Sequence, residues 1–205
     1  MNEFDIKAAE WDLNPVHIER SEAVVEGIRR NLSLNSDMRA FEFGAGTGIA
    51  SFLLRNDFRE IVMIDTSVEM VRIMNEKLKS HGADNLKALY FDIDKEEWKD
   101  GRFDLILTQM VLHHVTDIRA LFSKFGNMLN PGGYIAIADL YPEDGSFHGE
   151  GFTGHKGFDT KKLVADLDEA GFMVISEEKC FEMKKKISEN DIRHYDIFLI
   201  TARLK

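Results

Sequence analysis

The chain of 205 residues has one cysteine, Cys180, so no internal disulfide can form and the sequence suits a reducing compartment. That cysteine falls in a late expected strand and reads as a small buried side chain, not a nucleophile. No apolar run approaches the roughly 18 residues needed to span a bilayer. The segment Met1 to Asp12 is acidic and amphipathic, without the basic start and apolar core of a signal peptide. A cytoplasmic protein with no membrane partner is expected. Basic residues are in deficit, 26 against 36 acidic ones, for a net charge of −10. A polyanion would be repelled and would release few counterions, so nucleic acid is not an expected partner. With three prolines and no repeat, low-complexity tract or Pro/Ser-rich linker, residues 1–205 read as one domain, long enough to bury a sizeable core.

What the chain does have is a glycine-rich octapeptide, Phe41-Glu-Phe-Gly-Ala-Gly-Thr-Gly48. An expected strand, Met38 to Phe43, runs into it, and a helix-like stretch, Ile49 to Arg55, follows. In a parallel α/β sheet that junction lies at the carboxyl end of a strand, where ligands bind. Glycines let the backbone turn sharply and approach a ligand, and the amides that open the next helix face it. The spacing departs from the dinucleotide fingerprint, because Ile49 occupies its sixth position, and there is no Gly-Lys-Ser/Thr of a nucleotide-triphosphate loop.

Three further segments follow in order. Glu60-Ile-Val-Met-Ile-Asp65 is an apolar run ending in an acid, about twenty residues after the first glycine. Asp65 fits a carboxylate that accepts ribose hydroxyls, and equally a cap for a helix starting near Ser67. Ala88 to Phe91 reads as a strand ending at Asp92. Phe103-Asp-Leu-Ile-Leu-Thr-Gln109 reads as a strand entering the short stretch Leu112-His113-His114, and Asn130-Pro-Gly-Gly133 leads into another strand.

Taken together, Glu42-x-Gly44-x-Gly46-x-Gly48, the acid at 65, the acid at 92 and the Phe103-Asp-Leu-Ile…Leu-His-His-Val run resemble the ordered motifs of class I S-adenosylmethionine (SAM) dependent methyltransferases. The Trp11-Asp-Leu-Asn-Pro15 opening is similar to that of small stand-alone prokaryotic members. The resemblance implies a cofactor-binding set of Glu42, Gly44, Ala45, Gly46, Thr47, Gly48, Asp65, Thr66, Asp92, Ile93 and Gln109. Asp92 would approach the adenine amino group and the Ile93 amide a ring nitrogen; a plainer role for Asp92 is to cap residues 95–98. Glu42 stands where Asp is common and Ala45 where Cys is frequent; both changes keep the backbone cradle.

Hydrophobic periodicity predicts helices near 5–12, 17–33, 49–55, 67–80, 117–129 and 159–170, and strands near 38–43, 60–65, 86–91, 103–109, 133–140, 172–182 and 194–203. The alternation implies a doubly wound, mostly parallel α/β sheet with helices on both faces. The connection Lys184 to Asp191 is too short for a parallel crossover, so the last two strands should pair antiparallel, with Lys184-Lys-Lys186 in the turn. The family resemblance implies seven strands in the order 3-2-1-4-5-7-6. Within the domain, residues 1–34 are expected as an N-terminal helical lid, 38–140 as the cofactor core, 141–158 as an acceptor-site loop made mobile by its glycines, and 159–205 as a helix with the antiparallel strands.

The expected reaction is methyl transfer from SAM to a small-molecule acceptor, in a monomer or homodimer. Candidate proton acceptors are His114, His155 and Tyr141 by location, with structural packing equally open to each. His148 and His155, seven apart, and His113 with His114 fit no familiar metal-ligand spacing, so no metal is expected. Rival readings are a SAM-binding protein without catalysis, a methyltransferase of protein or RNA, and a nicotinamide-dependent oxidoreductase.

Overall fold

A computed structural model describes residues 3–189 and 191–205, with Glu3 described in its backbone alone. Met1 and Asn2 of the expected lid, and Asn190 of the expected hairpin connection, lie outside the described residues. Among those described, seven strands form one sheet in the order β3-β2-β1-β4-β5-β7-β6, as the family resemblance implied. They are β1 (Arg39–Phe43), β2 (Glu60–Asp65), β3 (Leu86–Tyr90), β4 (Phe103–Gln109), β5 (Leu129–Leu140), β6 (Phe172–Ser188) and β7 (Asp191–Leu204). The first five pair in parallel, and β7 runs antiparallel to both β5 and β6.

Helices α1 (Glu3–Lys7), α2 (Pro15–Asn31), α3 (Ile49–Leu54), α4 (Val68–His81), α5 (Ile118–Met128) and α6 (Thr160–Glu169) cover the sheet, with 3-10 turns at Ala8–Leu13 and Leu112–His114. Alternate strand residues feed two cores. Ala40, Leu105 and Leu107 join Val24, Ile28 and Leu54 on one face. Phe41 and Ile106 join Phe122, Phe125 and Leu163 on the other. The period of two along each strand divides one sequence between two cores.

The boundaries differ from expectation where local chemistry outweighs periodicity. Helix α2 starts two residues early because Pro15 sits in its first turn and the Asn14 side chain accepts from Val16 N, 3.1 Å away. The expected helix over 5–12 is a short α1 followed by a 3-10 turn. The largest correction is at the end of the chain. Strand β6 continues to Ser188, so Lys184 to Lys186 lie in the strand and not in a turn. Lys184 pairs with His194 and Lys185 with Arg193 across the ribbon. His194 Nδ1 to Glu182 (2.7 Å) and Lys179 to Asp196 (2.6 Å) tie the two strands side by side. Residues 159–170 behave as expected, with the Asp159 side chain accepting from Lys161 N to cap α6.

Candidate active site

The carboxyl ends of β1, β2 and β4 open onto a chamber of about 600 Å³. At one end the chain turns through Gly44, Ala45 and Gly46. Gly44 has φ +68°, and a Cβ there would lie 2.5 Å from the Val111 side chain. Gly46 has φ +58°, and its missing Cβ would point toward Trp11 Nε1 across the chamber. The loop therefore needs glycine for both backbone conformation and approach. Its amides are already organised: Ala45 N donates to Ile64 O (2.9 Å), and Gly46 N to Asp65 Oδ2 (2.8 Å).

Asp65 stands between the glycine loop and the start of α4. Its Oδ1 accepts from Ser67 N at 2.8 Å, at the start of α4, while the carboxylate also lines the chamber. Burial pushes its pKa above the usual carboxylate value, and the amides of Ser67, Gly46 and Thr66 pull it back. The cap of α4 itself is Ser67, whose side chain accepts from Met70 N. Thr66, Ile64, Met70 and Phe91 complete this end of the chamber.

Glu42 does not line the chamber. It is 1% exposed beneath the loop, where Ser51 donates to Oε2 from both its amide and its hydroxyl. Oε1 has no partner among the described residues. Burial lifts its pKa to about 7, with the Ser51 hydrogen bonds opposing. Its position fixes the start of α3 behind the glycines. Thr47 is also buried, and its hydroxyl donates to Asp12 Oδ1 (2.5 Å). Lys77 binds the other Asp12 oxygen (2.7 Å) and Thr47 O (2.9 Å). Ser67 Oγ donates to Asp5 Oδ1 (2.6 Å). The N-terminal segment is thereby stitched to the loop, and Phe4, Lys7, Glu10 and Trp11 form a wall of the chamber.

Asp92 and Ile93 lie outside the chamber lining. Asp92 pairs with Lys95 (2.7 Å), which holds its pKa below the ordinary value, and it accepts from Asp94 N. Ile93 is buried in the core, with its carbonyl accepting from Lys124. Phe91 is the residue of that segment facing the cavity.

The opposite end is built from α2, the Leu112–His114 turn and the loop after β5. Gln109, at the end of β4, donates to Ser21 Oγ on α2 (2.9 Å), and its own Oε1 is buried without a partner among the described residues. Met110 then takes φ +56°, a left-handed conformation uncommon for a non-glycine residue, and so redirects the chain into the turn. His113 is buried, with Nδ1 2.6 Å from Asp139 Oδ1 and its backbone N donating to Oδ2 (3.2 Å). Asp139 is fully buried and also accepts from Leu140 N (2.7 Å). A carboxylate at Nδ1 fixes the ring and its tautomer.

Of the three candidate proton acceptors, His114 and His155 share the wall of a smaller concavity, and Tyr141 lies outside both cavities. His114 also lines the chamber. The smaller concavity, of about 270 Å³, adjoins it, and there His155 Nε2 lies 3.0 Å from Val115 O. Tyr141 packs on Phe198, and its hydroxyl pKa is raised by burial. His148, brought in by the loop and stacked on Phe152 at 3.8 Å, completes a trio with His113 and His114. One ring nitrogen from each lies within 4.8 Å of the others, so the trio could gather about a metal ion. Of the four histidines weighed in the sequence, the fold gathers His113, His114 and His148 and leaves His155 out of the cluster. The loop is anchored by Ser146 to Tyr195 (2.7 Å) and Asp144 to Arg193 (2.6 Å).

His17 and Arg20 of the expected lid and Phe147 of the expected acceptor-site loop were not singled out in the sequence, and Met183 was missed; all four line the chamber. Arg20 and His17 lie one turn apart on α2, and the unusual feature visible in the sequence is an arginine on the helix's apolar face. Cys180 is half-buried, and burial raises its thiol pKa to about 12, in keeping with an inert side chain.

An adenosyl cofactor fits these observations: a cradle closed to any Cβ at Gly44, a half-buried carboxylate at the end of β2, and an aromatic just after β3. Comparisons agree. Residues 34–193 match the family described as "Methyltransferase domain". An uncharacterized methyltransferase of Schizosaccharomyces pombe is 29% identical over 150 residues, covering 65% of this chain and 53% of that one. Phosphoethanolamine N-methyltransferase 3 of Arabidopsis thaliana is 29% identical over 164 residues, covering 75% and 33%. This chain thus spans about half, or less, of the length of these relatives. The crystal structure of YcgJ from Bacillus subtilis superposes with TM-score 0.75 at 14% identity, covering 90% of this chain and 98% of the other. Among the described residues no helix is long and apolar enough to cross a membrane. The chain belongs to the Methyltransferase domain family, in the class I fold that uses S-adenosylmethionine.

Proposed function

We propose that the chain transfers a methyl group from SAM to a small-molecule acceptor. The observation that carries this is the two-ended chamber: glycine loop and Asp65 at one end, and a histidine- and arginine-lined wall at the other. Its volume is in the range of small-ligand sites. The N-terminal wall and the loop after β5 enclose it, which favours an acceptor small enough to enter over a macromolecular surface. The net charge of −10 further disfavours nucleic acid.

Asp65 would accept ribose hydroxyls, and the Gly44–Gly46 backbone would carry the adjoining part of the cofactor. When bound, SAM supplies a methyl on sulfonium sulfur that is already activated toward in-line displacement. What remains for the protein is alignment and exclusion of water. Trp11, Phe4 and Phe147 provide apolar wall, and Gln109 adds a polar side chain between the two ends. His114 is the candidate proton acceptor that faces the chamber. His113, held by Asp139, orients the polar wall beside it.

Calorimetric titration with SAM and S-adenosylhomocysteine (SAH), with NAD as control, tests the reading. Binding of both adenosyl ligands and none of NAD is expected, followed by SAH production in a screen of small acceptors. Binding of NAD alone, or of none of the three by protein stripped of copurified ligand, would overturn it.

A further inference from the structure

Arg20 stands out within the chamber. Its side chain comes from α2 and lies with 6% of its surface exposed, yet it lines the cavity. Among the described residues Nε is buried without a hydrogen-bond partner and the guanidinium makes no ion pair. Asp139 acts on it electrostatically but forms no ion pair with it, and the Asp139 oxygens accept from His113 and Leu140 instead. Burial lowers its pKa to about 10, so the side chain stays charged at neutral pH. A buried guanidinium without an ion pair is unfavourable, because a carboxylate that acts only at a distance offsets desolvation incompletely. A ligand anion would offset it, and a planar fork of donors suits a carboxylate or phosphate.

We infer that Arg20 is the anchor of an anion subsite for the methyl acceptor, which therefore carries a carboxylate or phosphate group. The inference rests on reading the chamber as a shared cofactor and acceptor site. Position separates the acceptor from the cofactor's own carboxylate. Arg20 senses Asp139 at the end of β5 and Cys180 on β6. The glycine loop follows β1, and β5 lies two strands further along the sheet, about 10 Å away at the usual strand spacing. Lys184 on β6 sits at the exposed rim of the same cavity and gives an anion a favourable approach in an otherwise acidic protein.

The test uses the full chain saturated with SAH and labelled with 15N. The Arg20 Nε–Hε resonance, assigned by its loss in Arg20→Lys, is followed while potassium phosphate or sodium acetate is added at constant ionic strength, with chloride as control. A saturable displacement by phosphate or acetate is expected, absent with chloride. Arg20→Gln should abolish phosphate binding, measured by calorimetry, while SAH affinity stays within about threefold of the parent. Arg20→Lys, which keeps the charge but not the fork, should weaken phosphate binding by about tenfold and serves if the glutamine variant does not fold. The inference falls if phosphate and acetate leave the resonance unmoved. It also falls if Arg20→Gln weakens SAH by about tenfold or more but leaves 5′-methylthioadenosine, which lacks the amino-acid group, unchanged; the anion would then be the cofactor's own carboxylate. Failure of SAH to bind the parent protein would instead sink the reading of the chamber itself.

Discussion

Replacing Glu42 by glutamine should stabilise the protein at neutral and alkaline pH and change little in mild acid. Glu42 is 1% exposed, and burial lifts its pKa from 4.5 to about 7. Below pH 4.5 the carboxyl is protonated in folded and unfolded chains alike. Between 4.5 and about 7 the folded state keeps a proton that the unfolded state has released, so stability falls as pH rises through this window. Above about 7 the loss is complete and amounts to about 3 kcal/mol, at 1.36 kcal/mol per pH unit. Glutamine never ionises. Its carboxamide oxygen can still accept from Ser51, although its NH2 group meets the same pocket that leaves Oε1 without a partner. The difference between Glu42→Gln and the parent should therefore grow by about 3 kcal/mol from pH 4.5 to pH 8, or about 6–12 °C in Tm for a chain of this size. Urea unfolding at several pH values measures it, and every other titrating group cancels in the difference. A pH-independent difference would refute the claim that this carboxylate is desolvated and lacks a compensating charge.

Other perturbations separate the two ends of the chamber. Asp65→Ala should weaken SAM and SAH binding by about 1–3 kcal/mol, the cost of losing a charged acceptor; unchanged calorimetric affinity in a folded variant would remove Asp65 from the ribose role. Gly46→Val puts a β-branched residue at φ +58° and bulk toward Trp11, and should abolish SAH binding; tight binding by that variant would mean the loop is not the cradle. Asp12→Ala cuts the links to Thr47 and Lys77 and should weaken SAH binding by about 1 kcal/mol and speed its release in stopped-flow. Unaltered kinetics would show that the N-terminal wall does not hold the ligand. Asp139→Ala leaves the His113 ring, His113 N and Leu140 N without their acceptor and should cost about 3 kcal/mol or more in denaturant unfolding. A cost under about 1 kcal/mol would mean that water replaces the carboxylate.

The strands and the glycine loop were legible because each rests on a local rule. Phe41 and Ile106 alternate with Ala40 and Leu105 between two cores, so a period of two is written into the sequence itself. Gly44 and Gly46 are required by backbone conformation within a few residues. The end of the chain was less legible because its stability is not local. Lys184 to Lys186 look like a solvated turn in one dimension; they become strand because His194, Arg193 and Ile192 are opposite them, and those partners are set by register across a ribbon. Helix α2 began early for a reason that was present in the sequence, Asn14 before Pro15, and was outweighed by hydrophobic spacing.

The chamber's polar end was illegible for a different reason: its chemistry depends on what is missing around a side chain. The sequence sets Arg20 apart from Arg29 and Arg30 on the same helix only by its place on the apolar face, which does not say whether it finds a partner. Arg29 finds Asp57 (2.7 Å) and Arg30 finds Glu178 (2.7 Å), both partly exposed, while Arg20 is buried without an ion pair among the described residues. The first two are ordinary surface pairs, worth under about 1 kcal/mol each. Only Arg20 bears a desolvation cost that its protein neighbours do not fully offset. The same reasoning applies to His113, indistinguishable from His114 in the sequence. One ring is clamped by a buried Asp139 contributed by another strand, and the other is exposed at the chamber wall. Motifs therefore locate the cofactor end, where backbone geometry does the binding. The acceptor end has to be found from burial and unmet hydrogen bonds, because side chains from α2, β5 and the loop after it meet there only in the folded chain.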